Sequence, residues 1–70
     1  PILAGDRVVI VEDVSTTGGS ALKAVEAVEG MGARVARIVT VLDRLSGARE
    51  LFEEKGYRFD SLVTIKDLGL

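Results

Sequence analysis

Two adjacent carboxylates, Glu12 and Asp13, stand directly before the hydroxyl- and glycine-rich stretch Ser15-Thr-Thr-Gly-Gly-Ser20. Backbone amides at Gly18 and Gly19, the hydroxyls of Ser15, Thr16, Thr17 and Ser20, and the start of a helix all favour an anion, most naturally a phosphate. Two carboxylates beside a phosphate would repel it unless they face something else. Ribose hydroxyls, and a magnesium ion bridging them to a pyrophosphate, suit hard carboxylate oxygens. The loop has neither the lysine of a Walker A sequence nor the spacing of a dinucleotide G-x-G-x-x-G, so neither fingerprint applies. Purely structural readings remain open: a strand-to-helix turn with a Thr N-cap, and a solvated acidic strand end. Asp43-Arg44 is a second candidate, because an arginine fork suits a carboxylate, although the same pair can serve as an ordinary surface ion pair. The chain has no histidine and no cysteine. General-base or nucleophilic chemistry of those kinds, disulfides and thiolate metal sites are therefore excluded.

These residues must be positioned by the elements around them. Arg7 to Glu12 is a continuous β-branched run, and unbroken apolarity predicts a strand of a parallel sheet covered on both faces. The loop from Asp13 to Ser20 then leads into a helix over roughly 19–31. Ala21, Ala24, Val25, Val28 and Met31 form its apolar face, Lys23, Glu26 and Glu29 the polar one, and Gly30 and Gly32 stop it. Val35 to Leu42 is a second strand, and strand, helix and strand make a right-handed βαβ unit with parallel strands. Glu12, Asp13 and Asp43-Arg44 then open on the same carboxyl edge of the sheet, where open α/β sheets bind ligands. Ser46 is placed to cap a second helix with Ala48, Leu51 and Phe52 inward and Gly56 at its end. Ser61 to Ile65 reads as a third strand, either within the main sheet or outside it. The expected class is α/β, one Rossmann-like parallel-sheet βαβ(αβ) unit without repeats or linkers.

At 70 residues the chain is one small domain, of a size that buries only about 60% of its unfolded surface. Hydrophobic residues are 47% and charged residues 29%, a balance that packs. A net charge of −2 with scattered basic residues disfavours nucleic acid and acidic lipid as partners. Apolar runs such as Val8 to Val11 and Val39 to Leu42 are too short to cross a bilayer, and Pro1-Ile2-Leu3 is no signal-peptide start. A cytoplasmic protein is expected, and the missing initiator methionine reads as a fragment.

The string Val8-Val-Ile-Val-Glu-Asp-Val-Ser-Thr-Thr-Gly-Gly-Ser20 resembles the phosphoribosyl-pyrophosphate signature of type I phosphoribosyltransferases. The resemblance implies that Glu12 and Asp13 contact the ribose 2- and 3-hydroxyls while Val14, Ser15, Thr16, Thr17, Gly18, Gly19 and Ser20 wrap the 5-phosphate. Leu42-Asp-Arg44, Gly47, Gly56 and the tail Ser61 to Leu68 are similar to the closing part of orotate phosphoribosyltransferases. There the matching arginine, Arg44, meets the orotate carboxylate, and Thr16 lies against the orotate ring. The resemblance covers the chain but only a C-terminal portion of that family, so residues 1–70 are expected to be a partial domain lacking the hood, the pyrophosphate loop and the lysine-rich catalytic loop. No catalytic residue is assignable within it. The implied parent takes phosphoribosyl pyrophosphate and orotate, uses Mg2+ held near Glu12 and Asp13 through the bound substrate and not by direct ligation, forms a homodimer, and serves pyrimidine synthesis. A non-catalytic phosphoribosyl-binding regulator and a purine-base phosphoribosyltransferase are the alternatives, and the isolated chain is expected to be inactive.

Overall fold

The computed structural model describes residues 2–69. The β-branched runs form strands β1 (Arg7–Ser15) and β2 (Arg34–Asp43), and a third, β3 (Phe59–Thr64), completes a sheet of order β1-β2-β3. Helix α1 (Gly19–Gly30) joins the first two strands and α2 (Ala48–Glu54) the second and third. Both pairings are parallel, with Ile10 beside Ile38 and Ile38 beside Phe59. A register shift between Val8 and Val9 leaves Ala36 without a partner on β1. The third strand thus belongs to the main sheet, resolving the alternative left open by its alternating pattern.

One apolar cluster unites the elements. Ile10, Ile38 and Phe59 from the three strands meet Ala21 and Val25 of α1 and Ala48 and Phe52 of α2. Phe52 is fully buried and stacks on Phe59 with ring centres 5.8 Å apart. Arg49 lies over the Phe59 ring, 5.3 Å from its centre, and donates to the Phe59 carbonyl at 3.1 Å. Because one cluster holds residues of both helices, both lie on the same face of the sheet.

That arrangement corrects three expectations. The first strand is not covered on both faces: Ile10 is buried, while its neighbours Val9 and Val11, 50% and 68% exposed, point the other way. Val41 and Leu62 continue this bare apolar stripe on β2 and β3. Successive strand residues face opposite sides, so with both helices on one side the apolar run is half covered within these residues. The first strand also runs on to Ser15, because Val14 and Ser15 pair with Leu42 and Asp43, so Glu12 and Asp13 lie within the strand and the loop starts at Thr16. Finally, Ser46 does not cap the second helix. Gly47 holds that place in a left-handed conformation with no side-chain cap bond, and the Ser46 hydroxyl approaches the Arg44 carbonyl at 3.4 Å.

Candidate functional site

The strand end and the start of α1 enclose an open cavity of about 100 Å³, lined by Glu12, Val14, Ser15, Thr16, Thr17, Gly18, Gly19, Ser20 and Ala21. Its chemistry follows from where the backbone groups go. The first bond of α1 runs from the Leu22 amide to the Gly18 carbonyl at 2.8 Å, so the amides of Gly19, Ser20 and Ala21 have no intrahelical acceptor. Two carbonyls at the junction of strand and loop are engaged elsewhere: Ser15, the last residue of β1, accepts from the Arg44 amide at 2.9 Å and Thr16 from the Ala48 amide at 3.1 Å. With carbonyls drawn toward the β2–α2 connection and amides left at the helix start, the cavity is rich in donors and suited to an anion.

Gly18 makes this turn possible. It caps α1 with φ of 93°, and an added Cβ would lie 3.0 Å from Leu51 Cδ2, 3.1 Å from Phe52 Cε2 and 3.3 Å from Ala48 Cα. The expected Thr cap of α1 is absent; no side chain bonds the helix start. Gly19 has no such crowding, its nearest neighbour being Thr17 Oγ1 at 4.0 Å.

The structure gathers most of the residues expected at the site, but not all in one place. Glu12 is half-buried and lines the cavity with residues 14–20, whereas Asp13 is exposed and outside the lining. Adjacent strand residues point to opposite faces, so the two carboxylates do not form a side-by-side pair. Arg44 is exposed at the end of β2, tied to the loop through its amide but also outside the lining. Its guanidinium takes part in neither ion pair found among the described residues, Arg37–Asp60 and Arg49–Glu53. The surface ion pair considered for Asp43-Arg44 is therefore not formed.

Sequence reasoning passed over Ala21, and it named Asp43 without its burial. Ala21 completes the cavity wall, and nothing in its type signalled that. Asp43 is 1% exposed; its Oδ1 accepts from the Leu45 amide at 2.8 Å, and its Oδ2 has no partner among the described residues. An acid ending an otherwise apolar strand was the available signal. Among the described residues no three acidic, histidine or cysteine side chains form a group able to hold a metal. Magnesium does not need one, since it commonly uses one or two carboxylates together with substrate phosphates and water.

Residues 1–61 match the family described as phosphoribosyl transferase domain. The chain is 53% identical over 70 residues to an orotate phosphoribosyltransferase of Rhodopirellula baltica, covering all of this chain and 36% of that protein. A Mycobacterium tuberculosis orotate phosphoribosyltransferase solved with 5-phospho-alpha-D-ribosyl 1-diphosphate superposes with a TM-score of 0.91 at 50% identity, over 97% of this chain and 42% of that one. An adenine phosphoribosyltransferase from Thermoanaerobacter pseudethanolicus also superposes, with a TM-score of 0.81 at 33% identity over 90% of this chain and 37% of that one. The chain thus spans 36% and 42% of the length of the first two relatives.

Proposed function

The chain belongs to the phosphoribosyl transferase domain family, and we propose that the whole protein is an orotate phosphoribosyltransferase in which residues 1–70 form a partial domain carrying the phosphoribosyl-pyrophosphate site. The reaction moves the ribose 5-phosphate group from phosphoribosyl pyrophosphate to orotate, releasing pyrophosphate and giving orotidine 5-phosphate. The observation that carries this reading is the donor-rich cavity at the start of α1 with Glu12 on its wall and Arg44 tied to its loop. In this reading the free amides of residues 19–21 and the loop hydroxyls hold the 5-phosphate. Glu12, on the cavity wall, and Asp13, exposed beside it in the strand and outside the lining, are proposed to take the ribose hydroxyls.

Arg44 supplies base selection. Its guanidinium, in no ion pair among the described residues, offers a planar fork for the orotate carboxylate, which purine bases lack, and Thr16 borders the base. Glu12 and Asp13 bear hard oxygen donors suited to a substrate-bound magnesium ion, which supplies charge neutralisation for the departing pyrophosphate. The chain's own groups act by holding and orienting the phosphoribosyl moiety, and such positioning is a large part of the catalysis available to residues that include no histidine or cysteine. A cytoplasmic homodimer, with the catalytic loop and the pyrophosphate loop supplied outside these residues, completes the proposal.

Adenine phosphoribosyltransferases share the strand-loop-helix frame, so the test must address the base. The whole protein is mixed with phosphoribosyl pyrophosphate, magnesium and, separately, orotate, adenine or hypoxanthine. Nucleotide is expected with orotate alone. Turnover with a purine and none with orotate would refute the assignment.

A further inference from the structure

We infer that Asp43 is a positioning residue for recognition of the base: its buried carboxylate fixes the turn from which Arg44 projects. The inference rests on the role of Arg44 proposed above and extends it to a residue that does not itself touch substrate. Leu45, directly after Arg44, has φ of 59° and is the one non-glycine residue with positive φ among the described residues. Side chains with a Cβ adopt that conformation at a cost, and it persists where the surroundings over-determine it. Here the over-determining contact is the bond from the Leu45 amide to Asp43 Oδ1 at 2.8 Å, a short bond for an N–H donor.

The consequence falls on Arg44. Its own amide is bound to the Ser15 carbonyl at 2.9 Å, and the next amide, that of Leu45, is bound to Asp43. Both peptide groups flanking the Arg44 Cα are therefore held, and together they set the direction in which its side chain leaves the backbone. Asp43 is anchored in turn: it pairs with Ser15 on one side and Thr64 on the other, and its carbonyl accepts from the Ile65 amide at 3.1 Å. The exposed arginine thus projects from a base built into the central strand. A turn needing only a polar cap is served by an exposed Asp or Asn. A carboxylate buried to 1% with Oδ2 unpartnered is a costly way to make one, which fits a requirement for precise presentation.

The test uses the whole protein and steady-state kinetics for both substrates. Misplacing a binding group by about 1 Å costs on the order of 100-fold, so Asp43→Ala is expected to raise the KM for orotate by roughly 10- to 100-fold while the KM for phosphoribosyl pyrophosphate moves far less. Asp43→Asn keeps an acceptor for the Leu45 amide and is expected to return most of the loss. Leu45→Val attacks the same turn at an exposed residue without disturbing the buried acid, and it should raise the orotate KM even if Asp43→Ala does not fold. Arg44→Ala separates the two layers of the argument. If it leaves orotate kinetics unchanged, the role of Arg44 falls and the positioning role with it. If it weakens orotate binding while Leu45→Val, and Asp43→Ala where folded, leave the orotate KM unchanged or raise both KM values equally, the positioning role alone is overturned.

Discussion

Replacing Gly18 by alanine should destabilise the fold far more than the same change at Gly19, one residue away. At Gly18 two costs combine. The left-handed backbone, φ of 93°, penalises a Cβ by about 1–2 kcal/mol. The added methyl would also press on Phe52 Cε2 at 3.1 Å and Ala48 Cα at 3.3 Å, a fully buried ring and a backbone atom that cannot swing aside as the Leu51 methyl can. Overpacking of that kind costs about 1–3 kcal/mol, so the sum is about 2–5 kcal/mol. A domain of this length has about 3.5–10 kcal/mol of stability in total, so a large fraction would be lost. Gly19 is helical with φ outside the left-handed range, and its Cβ would meet only Thr17 Oγ1 at 4.0 Å. Alanine there should stabilise by about 0.5–1 kcal/mol. Urea denaturation followed by far-ultraviolet circular dichroism reads both. With a slope of about 1 kcal/mol/M for a small domain, the Gly18→Ala midpoint should fall by about 2 M or more, while that of Gly19→Ala rises. Equal midpoints for the two variants, or a Gly18→Ala protein as stable as the parent, would show that the loop relaxes away from α2 and that the steric argument is wrong.

Three further outcomes are expected. The Tyr57 hydroxyl donates to Glu29 Oε2 at 2.5 Å, which pushes its pKa up from 10.0 to about 12. The stabilisation from this bond is fully present below pH 10 and is lost as pH rises through about 12; because Tyr57 is the chain's single tyrosine, ultraviolet titration reads it alone, and Glu29→Gln should bring the midpoint back toward 10. Titration with inorganic phosphate should shift the amide resonances of Gly19, Ser20 and Ala21 before others, and a uniform or remote pattern of shifts would remove the anion site. The isolated chain with phosphoribosyl pyrophosphate, orotate and magnesium should form no detectable orotidine 5-phosphate, and turnover at an ordinary enzymatic rate would show that these residues suffice.

Much of this architecture was legible in residue types, for identifiable reasons. The β-branched runs at Val8 to Val11 and Val35 to Leu42 specify parallel strands, and the spacing from Ala21 to Val28 specifies the helix between them, because both patterns are local. The turn from β1 into α1 was legible because hydroxyls and paired glycines mark a tight strand-to-helix junction. What was not legible depends on contacts distant in sequence. The extension of β1 to Ser15 is set by pairing with Leu42 and Asp43, and the separation of Glu12 from Asp13 follows from that extension. The glycine cap at Gly47 displaced Ser46, a competition that propensity ranks the other way. Asp43-Arg44 is legible as a candidate pair at the strand end, but only the depth of Asp43 in the central strand and its bond to the Leu45 amide show what the carboxylate holds.

The support of the β1–α1 loop by α2 has a consequence for how such a protein tolerates change. A helix of seven residues has little stability of its own, and its first amide, that of Ala48, is spent on the Thr16 carbonyl while Leu51 and Phe52 bear on Gly18. Loop and helix are therefore one inherited unit: drift in the helix core reshapes the loop, and variation in the loop unseats the helix. Novel specificities are more accessible to substitution on the open side of the cavity, at Thr16, Thr17 and Ser20, than on the side that rests against the helix.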